Sequence, residues 1–255
     1  MIPRPRALGV ATALVIAGVA ASSVVSAAPP KIGPNGQGTV YVVGDSLTFG
    51  ADYFDGMRRK IQAIGTWNKV IVDAKEGRKA TLGARLLRDQ IRTTPEVTAV
   101  VVALGTNDMI SHSESTYPDK VIDQVMTAAK GRPVLWMNLR FNSTPRPDWR
   151  SRGIRFNKAL VRAQSRWSNL TLADWSGWFT PSGKVRYISD GVHMTVSGYR
   201  VRSNYLVSQL RNFGRMIVDA STTTTTSTTS STTIPDSSST PTDPPPPDSV
   251  PGGSP

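Results

Sequence analysis

The chain has 255 residues, with 30 lysines and arginines against 18 aspartates and glutamates, a formal charge of +12. It contains no cysteine and two histidines, His112 and His193, which excludes disulfide bracing and thiolate chemistry and argues against a histidine-built metal site. No nucleic-acid recognition motif is present, nor the interleaving of aromatic and basic side chains seen in single-strand binders, so the charge points to anionic polymers or lipid head groups.

At the N-terminus, Arg4 and Arg6 precede an apolar stretch from Ala7 to Ala21, and small residues follow at Ser26, Ala27 and Ala28. This is the pattern of an export signal spanning residues 1–28, cleaved after Ala27 or Ala28. An uncleaved anchor is the alternative, but the apolar stretch falls short of the ~20 residues that span a bilayer. No other segment is long or apolar enough to cross a membrane, so no stable span is expected after processing. The protein should be secreted or associated with the cell wall.

The next elements alternate. Short apolar runs at Val40 to Val43, Val70 to Val72, Val97 to Ala103, Val134 to Leu139 and Leu170 to Ala173 predict buried strands. Between them the spacing is helical. Tyr53, Phe54, Met57 and Ile61 share one face; Leu82, Leu86, Leu87 and Ile91 form a drifting stripe; Val121, Ile122, Val125, Met126 and Ala129 form a third that stops at Gly131 before Pro133. Further helices are predicted over Ser151 to Trp167 and over Thr195 to Phe213, the latter with Tyr199, Leu206 and Leu210 inward.

From Ser221 to Pro255 the chain is a Ser/Thr/Pro tract with almost nothing to bury, which predicts a disordered tail able to carry O-glycans. Residues 29–220 remain as one domain. The leader takes Arg4 and Arg6 with it and the tail Asp236, Asp243 and Asp248, which leaves the domain at about +13.

Continuous apolar strands separated by helices predict an α/β fold, a three-layer α/β/α sandwich around a five-stranded parallel sheet. Ligands of such sheets bind beyond the carboxyl ends of the strands. Ser46 follows the first strand, Gly77 the second and Asn107 the third, while Asp190 and His193 come after the fifth. All five can therefore meet at one edge.

Gly44-Asp45-Ser46-Leu47, Gly77, Gly105-Thr106-Asn107-Asp108 and Asp190-Gly191-Val192-His193 resemble, in order, the four blocks of the SGNH/GDSL hydrolase superfamily, whose fold is flavodoxin-like. The second block also offers Gly83. The stretch "VDAKEGR" further resembles domains that handle acyl esters on bacterial surface polysaccharides. The resemblance implies that Ser46 is a nucleophile, His193 its general base and Asp190 the carboxylate that orients the imidazole, roles that a weakly nucleophilic hydroxyl requires. It implies an oxyanion hole built from the N–H groups of Ser46 and Gly77 and the amide of Asn107. Asp45 reads as a loop brace and His112 as a solvated loop residue. No cofactor or metal is implied, and the motif is not the Gly-x-Ser-x-Gly elbow of another hydrolase class.

The loops around this edge are polar and of modest length, with no apolar lid, which favours short acetyl-type esters on an anionic wall glycan. Trp175, Trp178 and Phe179 are expected to pack on the sheet, with a sugar platform as the alternative. Competing functions are an acyltransferase on surface glycans, a lipase or lysophospholipase, and a non-catalytic wall-binding module.

Overall fold

A computed structural model describes residues 38–142, 146–182 and 187–229. The expected signal segment, the tail beyond Thr229 and the Phe179 side chain lie outside the described residues.

Five strands, β1 (Thr39–Gly44), β2 (Lys69–Ala74), β3 (Val97–Ala103), β4 (Val134–Met137) and β5 (Leu170–Ala173), form one parallel sheet in the order β2-β1-β3-β4-β5. Most of their residues are β-branched or large and, in β1, β3 and β4, all are buried, because helices cover both faces. The chain steps from β1 outward to β2 and then returns to the other side of β1 to form β3. That reversal opens a crevice at the β1 tip. Gly44 is level with Ala74 of β2 and Ala103 of β3, so three loops leave the sheet together.

One face is covered by α1 (Ser46–Asp55), α2 (Met57–Gln62) and α8 (Val196–Thr229), the other by α3 (Ala80–Thr93), α5 (Tyr117–Ala128) and α6 (Pro147–Ala163). Short helices α4 (Thr106–Ser111) and α7 (Trp175–Ser182) follow β3 and β5. The expected three-layer sandwich is present, and its core includes fully buried Trp136, Trp175, Tyr41 and Phe156.

Several boundaries differ from expectation. Tyr53 and Phe54 do not share a buried face with Met57 and Ile61: Gly56, at φ +60°, ends α1 and starts α2, so the helical phase is lost between them. Met57 and Ile61 are buried while Tyr53 and Phe54 are exposed. In α3 the inward set is Ala80, Gly83, Ala84, Leu87 and Ile91, with Leu82 outside. The fourth expected helix begins earlier, at Pro147, whose missing N–H costs nothing in a first turn. β4 ends at Met137, where Asn138 turns its amide to the loop after β5, donating to Asp174 Oδ1 at 2.7 Å and accepting from the Ser176 N–H at 2.8 Å. The last helix runs on to Thr229, into the segment expected to be disordered. Extending an existing helix costs far less than starting one.

Candidate active site

Ser46 is the first residue of α1, placed there by an abrupt change of backbone direction after β1. Asp45 adopts an extended conformation and its Oδ1 accepts the Leu47 N–H at 3.0 Å, an N-cap that fixes where the helix starts. The expected brace is therefore real. Asp45 is buried, and burial pushes its carboxyl pKa up while the buried Arg202 guanidinium works to lower it. Arg202, buried beside Trp175 with its guanidinium carbon 5.5 Å from the ring centre, is itself pulled down by desolvation, with Asp45 opposing.

His193 arrives on a tight loop. Tyr187 bridges Met194 antiparallel, the Ile188 N–H donates to His193 O at 2.9 Å, and Gly191 supplies the positive φ of +74° that the turn needs. Val192 and Met194 are buried and anchor this loop, and its neighbours Asp190 and His193 face the crevice. The Gly191 carbonyl also accepts the Asn142 N–H at 2.9 Å, tying the loop to the chain beyond β4.

The three side chains meet. His193 Nε2 lies 2.9 Å from Ser46 Oγ, and His193 Nδ1 lies 2.6 Å from Asp190 Oδ2. Asp190 Oδ1 in turn accepts the N–H groups of Val192 at 2.8 Å and His193 at 2.9 Å. Burial tends to raise the Asp190 pKa, but the imidazole and these two backbone donors outweigh it and hold the carboxyl below its ordinary value. An ionised Asp190 keeps the proton on Nδ1, which leaves Nε2 free to accept the Ser46 proton.

Three groups are the expected donors for a developing oxyanion. The N–H of Ser46, at the helix start, has no acceptor among the described residues, as expected of an N-terminal turn. Gly77 sits on the exposed loop after β2 at φ +68°, and its N–H is likewise without an acceptor there. Asn107, in the first turn of α4, donates one Nδ2 hydrogen to the Arg78 carbonyl at 3.2 Å. That bond places the amide beside Gly77 and leaves its second hydrogen for a ligand. Gly83 is elsewhere: it lies inside α3, where a Cβ would come within 2.2 Å of Leu104 Cδ1.

Two supporting residues escaped sequence reading. Arg78, buried next to Gly77, donates to Asp73 Oδ1 at 2.6 Å, while Asp73 Oδ2 accepts the Tyr41 hydroxyl at 2.7 Å. Asp108 is fully buried, and its carboxylate accepts the Ala80 N–H at 2.8 Å and the Tyr117 hydroxyl at 2.9 Å, joining α4 to the starts of α3 and α5. Burial raises the Asp108 pKa against both bonds. Only its place in the Gly105 to Asp108 string signalled it.

His112 stands apart. It stacks on Tyr117 with ring centres 3.9 Å apart and approaches Glu114 at 3.5 Å. Trp175 is buried as packing, and Trp178 stacks on it at 5.6 Å with one side exposed.

The family model described as "GDSL-like Lipase/Acylhydrolase family" matches residues 42–201. YrhL of Bacillus subtilis (strain 168), whose name provisionally assigns it as a peptidoglycan O-acetyltransferase, is 24% identical over 180 residues, covering 68% of this chain. The chain spans only 24% of that protein's length. Among solved structures, a lipase/acylhydrolase from Enterococcus faecalis matches with TM-score 0.58 and 19% identity over 69% of this chain and 96% of that one. The C-terminal catalytic domain of Streptococcus pneumoniae peptidoglycan O-acetyltransferase A, carrying a methylsulfonyl adduct, matches with TM-score 0.54 and 13% identity over 69% and 94%.

Proposed function

The chain belongs to the GDSL-like lipase/acylhydrolase family, and from that premise we propose that it is a serine esterase cleaving short, acetyl-type esters on a cell-wall polysaccharide. The observation that carries the serine-esterase chemistry in this reading is the unbroken relay from Ser46 Oγ through His193 to Asp190, at 2.9 and 2.6 Å.

In the proposed reaction, Ser46 Oγ attacks the ester carbonyl as His193 Nε2 takes its proton. Charge builds on the carbonyl oxygen, where the N–H groups of Ser46 and Gly77 and the Asn107 amide receive it. His193 then protonates the departing sugar oxygen, leaving an acyl-enzyme on Ser46. Water, deprotonated by the same imidazole, attacks that ester and restores the serine. Asp190 stays ionised throughout and stabilises the imidazolium.

A second reading, acyl transfer, has its own support. Both the Bacillus and the Streptococcus proteins carry peptidoglycan O-acetyltransferase names. A sugar hydroxyl in place of water would resolve the same acyl-enzyme, and the chemistry at Ser46 would not change. These names also favour a wall glycan as the substrate or acceptor, in line with the positive charge and with the export expected from the sequence. Among the described residues, no helix is long and apolar enough to cross a membrane.

The deciding experiment is a fluorophosphonate probe followed by peptide mass spectrometry, together with activated esters from acetate to palmitate. Labelling at Ser46, absent in Ser46→Ala, and a preference for acetate are expected. A folded protein that resists the probe would instead be a binding module, and a preference for palmitate would make it a lipase. Product formation with and without an added glycan acceptor separates hydrolysis from transfer.

A further inference from the structure

Helix α1 carries more than the nucleophile. Residues 46, 49 and 53 fall at i, i+3 and i+7, on one stripe of the helix. At 1.5 Å per residue, Phe49 lies about 4.5 Å and Tyr53 about 10 Å along the axis from Ser46. Both rings are exposed, Phe49 at 43% and Tyr53 at 72%, and neighbouring Phe54 is 46% exposed while stacking on Tyr199. A single exposed aromatic needs no explanation, but three adjoining ones leave a contiguous apolar surface that folding alone does not favour.

The rings are organised. Phe49 and Tyr53 lie 12° from parallel with centres 5.8 Å apart, and Phe54 meets Tyr53 edge-on at 4.9 Å. The Tyr53 hydroxyl has no partner among the described residues. A cleft of about 220 Å³ beside them is lined by Phe49, Asp52, Tyr53, Arg58, Val72 and Ala74. Ala74 ends β2 and leads into the Gly77 loop, so this cleft lies at the root of that loop and shares α1 with Ser46.

Its rim is charged and set in advance. Asp52 Oδ1 accepts the Arg58 N–H at 2.7 Å, and the Arg58 guanidinium lies 3.6 Å from Asp52 Oδ2 while donating to Val72 O at 3.1 Å. An acyl chain wants an enclosed apolar channel, and a carboxylate and a guanidinium at the mouth work against it. A pyranose fits better: its C–H face lies flat on an aromatic ring while its hydroxyls meet the carboxylate, the guanidinium and the phenol.

We propose that the Phe49–Tyr53 pair is a sugar-stacking subsite that holds a polysaccharide chain along α1 and so presents its ester to Ser46. The proposal rests on the esterase or acyl-transfer reading of Ser46 and adds the element that selects polymeric over small esters. It relocates the sugar platform from α7, where Trp175 is core, to the helix of the nucleophile.

The test compares 4-nitrophenyl acetate with O-acetylated peptidoglycan fragments on wild type, Phe49→Ala, Tyr53→Ala and Tyr53→Trp. For the two alanine variants, the loss in kcat/KM on the glycan should exceed the loss on the small ester by about tenfold, the size of one stacking contact. The difference should appear in KM, and Tyr53→Trp should restore it. In parallel, de-O-acetylated fragments are titrated into Ser46→Ala with and without Tyr53→Ala, and binding should weaken about tenfold in the double variant. Equal losses on both esters, unaltered glycan kinetics, or Tyr53-dependent binding to phosphatidylglycerol vesicles without Tyr53-dependent glycan binding would each overturn the subsite. If wild type fails to cleave 4-nitrophenyl acetate, the parent reading falls, while the titration on Ser46→Ala still judges the subsite alone.

Discussion

At the scale of single residues, Asn107 has one observed task, and the proposed mechanism gives it a second. One amide hydrogen is bonded to Arg78 O and so holds the Gly77 loop, while the other is available to an oxyanion. Replacing it with alanine removes a donor that acts mainly in the transition state, so Asn107→Ala should lower kcat by ~10² or more, about 3 kcal/mol, with a small change in KM. Steady-state kinetics on an acetate ester measures this directly. Asp108 next to it gives a pH signature. Its pKa is raised in the native protein, so between the ordinary carboxylate value of about 3.9 and that raised value the native state binds more protons than the unfolded one. Stability should therefore fall as pH climbs through this window. Asp108→Asn still accepts the Ala80 N–H yet takes up no proton there, and denaturation midpoints across pH should show that component of the slope removed. The meeting of Ser46, Asp190 and His193 was legible in sequence because each follows an apolar strand or sits in a short turn-forming string. Arg78 and Asp108 were not, because their value lies in partners that only folding brings close: Ala80 is 28 positions from Asp108.

At the scale of elements, the packing of α1 on α8 sets Ser46 against His193, since one helix begins at Ser46 and the other just after His193. Gly50 permits that approach: a Cβ there would lie 2.4 Å from the Tyr199 ring. Gly50→Ala should force the helices apart, cost about 1–3 kcal/mol of stability and reduce kcat by lengthening the Ser46 to His193 contact. Thermal melting and steady-state kinetics on the same preparation would detect both. If the melt is unchanged, Tyr199 can swing aside and the interface is looser than drawn. Strands were legible because a parallel sheet buried on both faces leaves a continuous apolar run, as in Val97–Ala103. The helices were legible where one face is apolar, as in α5, but not where a glycine resets the phase, as at Gly56. The short helices α4 and α7 carry too few turns for any periodicity to register.

At the scale of the whole molecule, the excess charge acquires a location. A groove of about 850 Å³ between α3 and α5 presents Arg85, Arg88, Lys120 and Lys130, with Asp123 as its one carboxylate. Asp123 is engaged by Arg166 at 2.9 Å and by the Trp167 indole at 2.7 Å, so it offsets little of that field. The four cations have no ion-pair partner among the described residues, which keeps them available to an external polyanion. Exposed charges interact within a Debye length of about 8 Å at physiological salt, so a groove that gathers them should hold an anionic polymer better than the same charges scattered. Arg88→Glu combined with Lys120→Glu changes the local charge by four while leaving the fold's core untouched, and the variant should elute from an immobilised anionic polysaccharide at clearly lower salt than wild type. A control reversing two lysines or arginines elsewhere, Arg150→Glu with Arg211→Glu, changes net charge equally. Equal elution of the two variants would mean that total charge, not the groove, governs retention; earlier elution of the α3/α5 variant would mean that the groove itself retains the polyanion.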